Sequence, residues 1–128
     1  MRDTFESVLR YDYKDFEYVI VDGGSTDNTL DIIREFEPMF EGRMTWKSEK
    51  DKGLYDAMNK GLSRAPGDVV GILNSDDFYT SDDILATVAD SFNNNCGLDA
   101  VYGDVHYVDE HDTSKVVRYY SSRTFRRS

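Results

Sequence analysis

The chain reads as a layered α/β domain with a mostly parallel central sheet and flanking helices. Three observations predict this. β-branched apolar runs alternate with segments whose apolar residues recur every three or four positions. The runs "EYVIV" and "VVGIL" are apolar without clean alternation, as expected for strands covered on both faces. Acidic and hydroxyl-rich stretches follow both runs directly, where a parallel α/β sheet presents its ligand crevice.

Each element follows from local pattern. "RDTFESVLRY" is expected to be a helix capped by Asp3 or Thr4, with Phe5, Val8 and Leu9 on one face. Residues 17–21 form the first strand. "STDNTLDIIREFE" is a second helix, with Ser25 or Thr26 as cap, Asp27 in its first turn and Leu30, Ile33 and Phe36 as its stripe. Pro38 stops it. Residues 43–48 form a short strand, and "EKDKG" a loop. "LYDAMNKGLSRA" is a third helix, with Leu54, Met58 and Leu62 spaced by four. After a turn at "PGD", residues 69–73 are expected to be a second buried strand, followed by the loop "NSDDFYT". "SDDILATVADSF" is a fourth helix, capped by Ser81, with Ile84, Val88 and Phe92 in register. "AVYGDVHYV" and "KVVRYY" are strands joined through "DEHD".

No repeat, low-complexity tract or linker divides the chain, so residues 1–128 are expected to form a single domain. A domain of this size buries roughly two thirds of its unfolded surface. A hydrophobic fraction of 39% and an aromatic fraction of 13% exclude a disordered chain, despite 31% charged residues. Asp+Glu number 25 against Lys+Arg 15, a net charge of -10, which disfavours a nucleic-acid-binding face. The basic C-terminal stretch, with Arg118, Arg123, Arg126 and Arg127, reads as a solvated tail. The single cysteine, Cys96, excludes an internal disulfide and paired-cysteine metal sites. No apolar run approaches the roughly 20 residues of a membrane span, and the N-terminus has no signal-peptide pattern. A reducing, cytoplasmic setting without membrane association is therefore expected.

In a parallel sheet, Asp22, Asp51, Lys52, Asp76 and Asp77 would converge on the carboxyl ends of the strands. Converging carboxylates are tolerated when a cation sits between them or when one accepts a specific hydrogen bond. Asp76 and Asp77 are hard oxygen ligands suited to Mg2+ or Mn2+, a site normally completed by substrate phosphates. Asp22 then accepts an N–H or O–H from the ligand, and Gly23 and Gly24 let backbone approach closely. Ordinary readings exist for each part: a helix cap at "DGGSTD", solvated acids at "SDD", a surface lysine at Lys52. Asp82 and Asp83 serve a helix N-terminus. His106 and His111 read as structural.

Taken together, "EYVIVDGGSTDNTLDII", "SEKDKGLYDAMNKGL", "APGDVVGILNSDD" and "VYGDV", in that order, resemble the family 2 glycosyltransferases. The resemblance runs from about Phe5 to Tyr120. It implies a three-layer GT-A fold, incomplete here, and nucleotide-sugar-dependent, metal-dependent, inverting sugar transfer from a donor that is usually UDP-linked to a saccharide or lipid-linked acceptor. Asp22 matches the residue that reads the nucleotide base. Gly23 lies in the same motif, and Asp51 and Lys52 match the segment bordering the diphosphate and donor sugar. "NSDD" matches the metal motif with Asn74 in place of its first acid, so Asp76 and Asp77 are the expected ligands of Mg2+ or Mn2+. Two departures stand out. Family members begin with a strand ahead of the first helix, and they continue into an acceptor region that carries the general base. Here the chain opens with the helix, and the nearest candidate for a base is Asp104. An unpaired sheet edge would also favour homo-oligomers. Two rivals remain: a non-catalytic nucleotide-binding or interaction module, and a phosphohydrolase using Asp76 and Asp77.

Overall fold

A computed structural model describes residues 1–10 and 13–123. Along the chain it has α1 (Arg2–Leu9), β1 (Tyr18–Asp22), α2 (Thr29–Phe36), a 3-10 turn (Glu37–Phe40), β2 (Met44–Ser48), α3 (Leu54–Arg64), α4 (Ile84–Asn94), β3 (Val105–Val108) and β4 (Val116–Tyr120). The expectation for Arg126 and Arg127 lies outside the described residues. The chain divides into two compact units, Met1–Thr87 and Val88–Ser128.

In the first unit β1 and β2 pair in parallel, from Tyr18 opposite Met44 to Asp22 opposite Ser48. Parallel neighbours need a crossover, and α2 with the 3-10 turn supplies it. Pro38 sits within that turn. It ends the α-helix because it cannot donate the next hydrogen bond. Phe5 and Val8 of α1, Ile33 and Phe36 of α2, Phe40 and Met44 form the buried core. The Phe5 ring lies 5.1 Å from Phe36 and 5.8 Å from Tyr18, centroid to centroid. Each such fully buried side chain contributes about 2 kcal/mol.

Tyr18 and Ile20 pack against this core. By the two-residue period of a strand, Val19 and Val21 point the other way. There a β-carbon on Gly61 of α3 would stand 3.8 Å from Val21. The predicted stripe of α3 is corrected: Leu54 and Leu62 are exposed, and only Met58 is partly covered. The small residue Gly61 brings the helix to the strand, so spacing among the large residues pointed to the wrong face.

The single mostly parallel sheet is also revised. Among the described residues there are two sheets of two strands each, β1–β2 and the antiparallel β3–β4. Residues 69–73 have the composition of a strand but join no ladder, and Val69, Val70 and Ile72 are about half exposed. A strand needs a hydrogen-bonding partner, and a cavity of about 100 Å³ lies between Leu73 and β1. Met1 and, from α1, Thr4 and Phe5 also line it.

In the second unit β3 and β4 form a hairpin with an irregularity at Tyr107 and Val108. The first predicted strand is shorter than expected, since residues 100–104 lie outside the ladder. His106 packs on Tyr119, at 4.9 Å between ring centroids, consistent with a structural role. Cys96 is exposed and free. No helix of the described residues is long and apolar enough to cross a membrane.

Candidate functional site

β1 and β2 end side by side, and their ends build the first part of the site. Asp22 is only 7% exposed. Its Oδ2 accepts the N–H groups of Gly24 (3.1 Å) and Ser25 (2.9 Å) and the Ser48 hydroxyl (2.6 Å). Its Oδ1 accepts the Ser25 hydroxyl. Burial alone would raise the carboxyl's pKa. The hydroxyls of Ser25 and Ser48 and the two N–H groups outweigh it and hold Asp22 below the ordinary carboxylate value.

This carboxylate explains why α2 starts late. Ser25 and Thr26 were the expected caps, but Ser25 is drawn to Asp22, and the helix begins at Thr29 after Asn28. Asp27 Oδ1 accepts the Thr29 N–H at 3.0 Å instead. Gly24 holds φ +87, a conformation that side-chain-bearing residues rarely adopt.

The loop after β2 closes against this turn. The Glu49 N–H donates to the Asp22 carbonyl at 3.0 Å, extending the ladder by one residue. Asp51 then reaches Gly23 so closely that a β-carbon there would sit 2.5 Å from Asp51 Oδ2. Only glycine accommodates that approach. Asp51 Oδ1 accepts the Gly53 N–H at 2.9 Å, and the Lys52 side chain is exposed. Asp22, Gly23 and Asp51 are thus adjacent, with Lys52 next in the chain.

Residues 74–77 make a turn in which the Asp77 N–H donates to the Asn74 carbonyl at 3.1 Å. The Asn74 amide donates to Asp77 Oδ2 at 3.1 Å. Asp76 and Asp77 are both exposed. Two buried α1 side chains pin this loop: the Thr4 hydroxyl donates to the Ser75 carbonyl at 2.9 Å, and Ser7 Oγ accepts the Tyr79 N–H at 3.2 Å. Asp3 or Thr4 was expected to cap α1, but the helix starts at Arg2 without a side-chain cap. Ser7 and Ser48 were not singled out by sequence, and Thr4 was singled out only as a helix cap. The available signal was a pair of small hydroxyl residues three apart on the face shared with Phe5 and Val8.

The metal question turns on donor chemistry. Among the described residues no three His, Cys, Asp or Glu side chains form a ready-made cage. An exposed pair of adjacent carboxylates still fits Mg2+ or Mn2+ if substrate phosphate and water supply the other ligands.

Asp104 belongs to the second unit. It accepts the Tyr119 hydroxyl, the Ser122 N–H (2.6 Å) and the Ser122 hydroxyl (2.8 Å). The Tyr119 bond foremost, then those from Ser122, hold its carboxyl below the ordinary value. These three bonds tie Asp104 to β4 and the residues that follow it.

The sequence matches the family described as Glycosyl transferase family 2 over residues 1–127. It is 44% identical over 100 residues to a PGL/p-HBAD biosynthesis glycosyltransferase of Mycobacterium bovis (strain BCG / Pasteur 1173P2), covering 78% of this chain and 39% of the relative. It is 32% identical over 104 residues to an uncharacterized glycosyltransferase of Mycobacterium tuberculosis (strain CDC 1551 / Oshkosh), covering 80% of this chain and 38% of the relative. The chain therefore spans about two fifths of the length of these relatives. No solved structure matches it. With the family match covering nearly every residue, this chain belongs to glycosyl transferase family 2.

Proposed function

We propose that this chain is the donor-binding part of a metal-dependent, inverting glycosyltransferase that takes a nucleotide-sugar, UDP-linked, and delivers the sugar to a saccharide or lipid-linked acceptor. The observation that carries the reading is the contact of Asp51 with Gly23 beside the buried Asp22. It leaves a polar, close-packed backbone corner at the carboxyl ends of two parallel strands, where α/β sheets take nucleotides. In this reading the sheet belongs to a three-layer GT-A arrangement.

Asp22 Oδ1 accepts one hydrogen bond within the chain and retains capacity for a second. That capacity suits an N–H of the nucleotide base. Gly23 and Asp51 border the ligand, and Lys52 offers its ammonium to the diphosphate. Asp76, with Asp77 beside it, would hold Mg2+ or Mn2+, and Thr4 and Ser7 fix the loop that presents them. The ion, when bound, neutralises charge on the leaving nucleoside diphosphate, worth several kcal/mol of barrier. The acceptor hydroxyl attacks the anomeric carbon from the face opposite the leaving group. The proton it loses goes to a base outside the residues assigned here.

The outer edge of β1 has no ladder partner among the described residues. An unpaired edge favours association of two copies; light scattering that shows monomer alone at high concentration overturns that part.

The donor site is tested by calorimetry with UDP and Mn2+. Wild type should bind UDP only when Mn2+ is present, and Asp76→Ala should lose that metal-dependent binding. Equal binding by both proteins removes Asp76 from the site.

A further inference from the structure

We propose that Asp56 and Lys60, one turn apart on α3, are positioning residues for the loop that carries Asp51 and Lys52. The proposal rests on the donor-site reading for its functional consequence, and on geometry alone for the positioning itself. The loop after β2 is short of ladder bonds beyond Glu49, so something else must hold its backbone. Asp56 Oδ2 accepts the Lys52 N–H at 3.0 Å. Lys60 Nζ donates to the Lys50 carbonyl at 3.1 Å. The same ammonium pairs with Asp56 at 3.1 Å and with Glu49 at 3.6 Å. Lys47 pairs with Glu49 from the other side at 2.6 Å.

The Lys60 ammonium donates to the Lys50 carbonyl and meets the Asp56 carboxylate at 3.1 Å, with Glu49 at ion-pair distance. It therefore ties both ends of the loop to one point on the helix. Helix α3 is in turn registered against β1 through Gly61 and Val21. The chain of contacts runs from strand to helix to loop and returns to the strand at Gly23. Exposed ion pairs add little to global stability. These contacts consequently act locally, on where Asp51 and Lys52 stand.

Three variants test this: Asp56→Ala removes both the N–H acceptor and the ion pair, Asp56→Asn keeps an acceptor oxygen, and Lys60→Met keeps only the alkyl stem. Amide hydrogen exchange, thermal melting and UDP titration in Mn2+ are measured on each. Asp56→Ala should speed exchange at Lys52 and Gly53 by about tenfold or more. Its UDP affinity should fall by a similar factor, while its melting temperature stays within about 2 °C of wild type. Asp56→Asn should restore part of the Lys52 protection, and the double variant with Lys60→Met should fall short of additivity. Unchanged exchange at Lys52 and Gly53 in Asp56→Ala overturns the proposal, as does a loss of protection spread over the whole first unit. If wild type binds no UDP, the donor-site reading fails, and exchange alone judges the positioning.

Discussion

The two acidic loops of the first unit hold their carboxylates in opposite ways. Asp22 is buried and accepts hydrogen bonds from Gly24, Ser25 and Ser48. Asp76 and Asp77 stand in solvent, with one in-chain side-chain partner between them in Asn74. The first mainly builds a turn, and the second stays in solvent. Chemically similar residues thus divide into a buried framework acid and exposed acids. Burial and donor supply decide which is which.

Removing Asp22 should produce the largest break in this comparison. Asp22→Ala leaves Ser48, Ser25 and two main-chain N–H groups without their acceptor. Its cost should be about 3 kcal/mol, a fall of roughly 10 °C in melting temperature. Asp76→Ala should stay within about 0.5 kcal/mol of wild type. Equal costs for the two variants, read by denaturant unfolding, would erase the distinction.

Gly23→Ala should come next. Its β-carbon would stand 2.5 Å from Asp51 Oδ2, the far end of a side chain that can swing away, so stability should fall by less than about 1 kcal/mol. It should also weaken UDP binding about tenfold more than its stability loss explains. Binding at wild-type strength would detach the Asp51 approach from the site.

The smallest expected effect is on pH. The folded pKa of Asp22 lies below its ordinary value. Its stabilisation is therefore present above about pH 3.9 and fades as the pH falls through the folded pKa. Amide signals of Gly24 and Ser25 should shift in that window in wild type and not in Asp22→Asn. A midpoint above the ordinary carboxylate value would reverse the sign and contradict the hydrogen-bond account.

The elements that bury large apolar side chains were legible in the sequence. Phe5 and Val8, Ile33 and Phe36, and the runs ending at Asp22 and Ser48 lie where periodicity placed them. Asp22, Gly23 and Asp51 were also nameable, because a motif fixes their spacing. What was not legible depended on partners distant in the chain. Residues 69–73 have the composition of a strand, but composition does not supply a ladder partner. The start of α2 shifted because Asp22 competes for Ser25, and α3 turned its small residue inward because Val21 faces it. Thr4, Ser7 and Ser48 look like ordinary polar residues until the loops they anchor come into place.

The central claim is spatial: the Asp22 turn and the Asp76–Asp77 turn border one nucleotide cleft. Paramagnetic broadening by Mn2+ in the presence of UDP tests it most directly. The amide signals of Gly23, Gly24 and Ser25 should broaden together with those of residues 74–77, and Asp76→Ala should abolish both effects. Broadening confined to residues 74–77, with the Asp22 turn unaffected, would contradict the account.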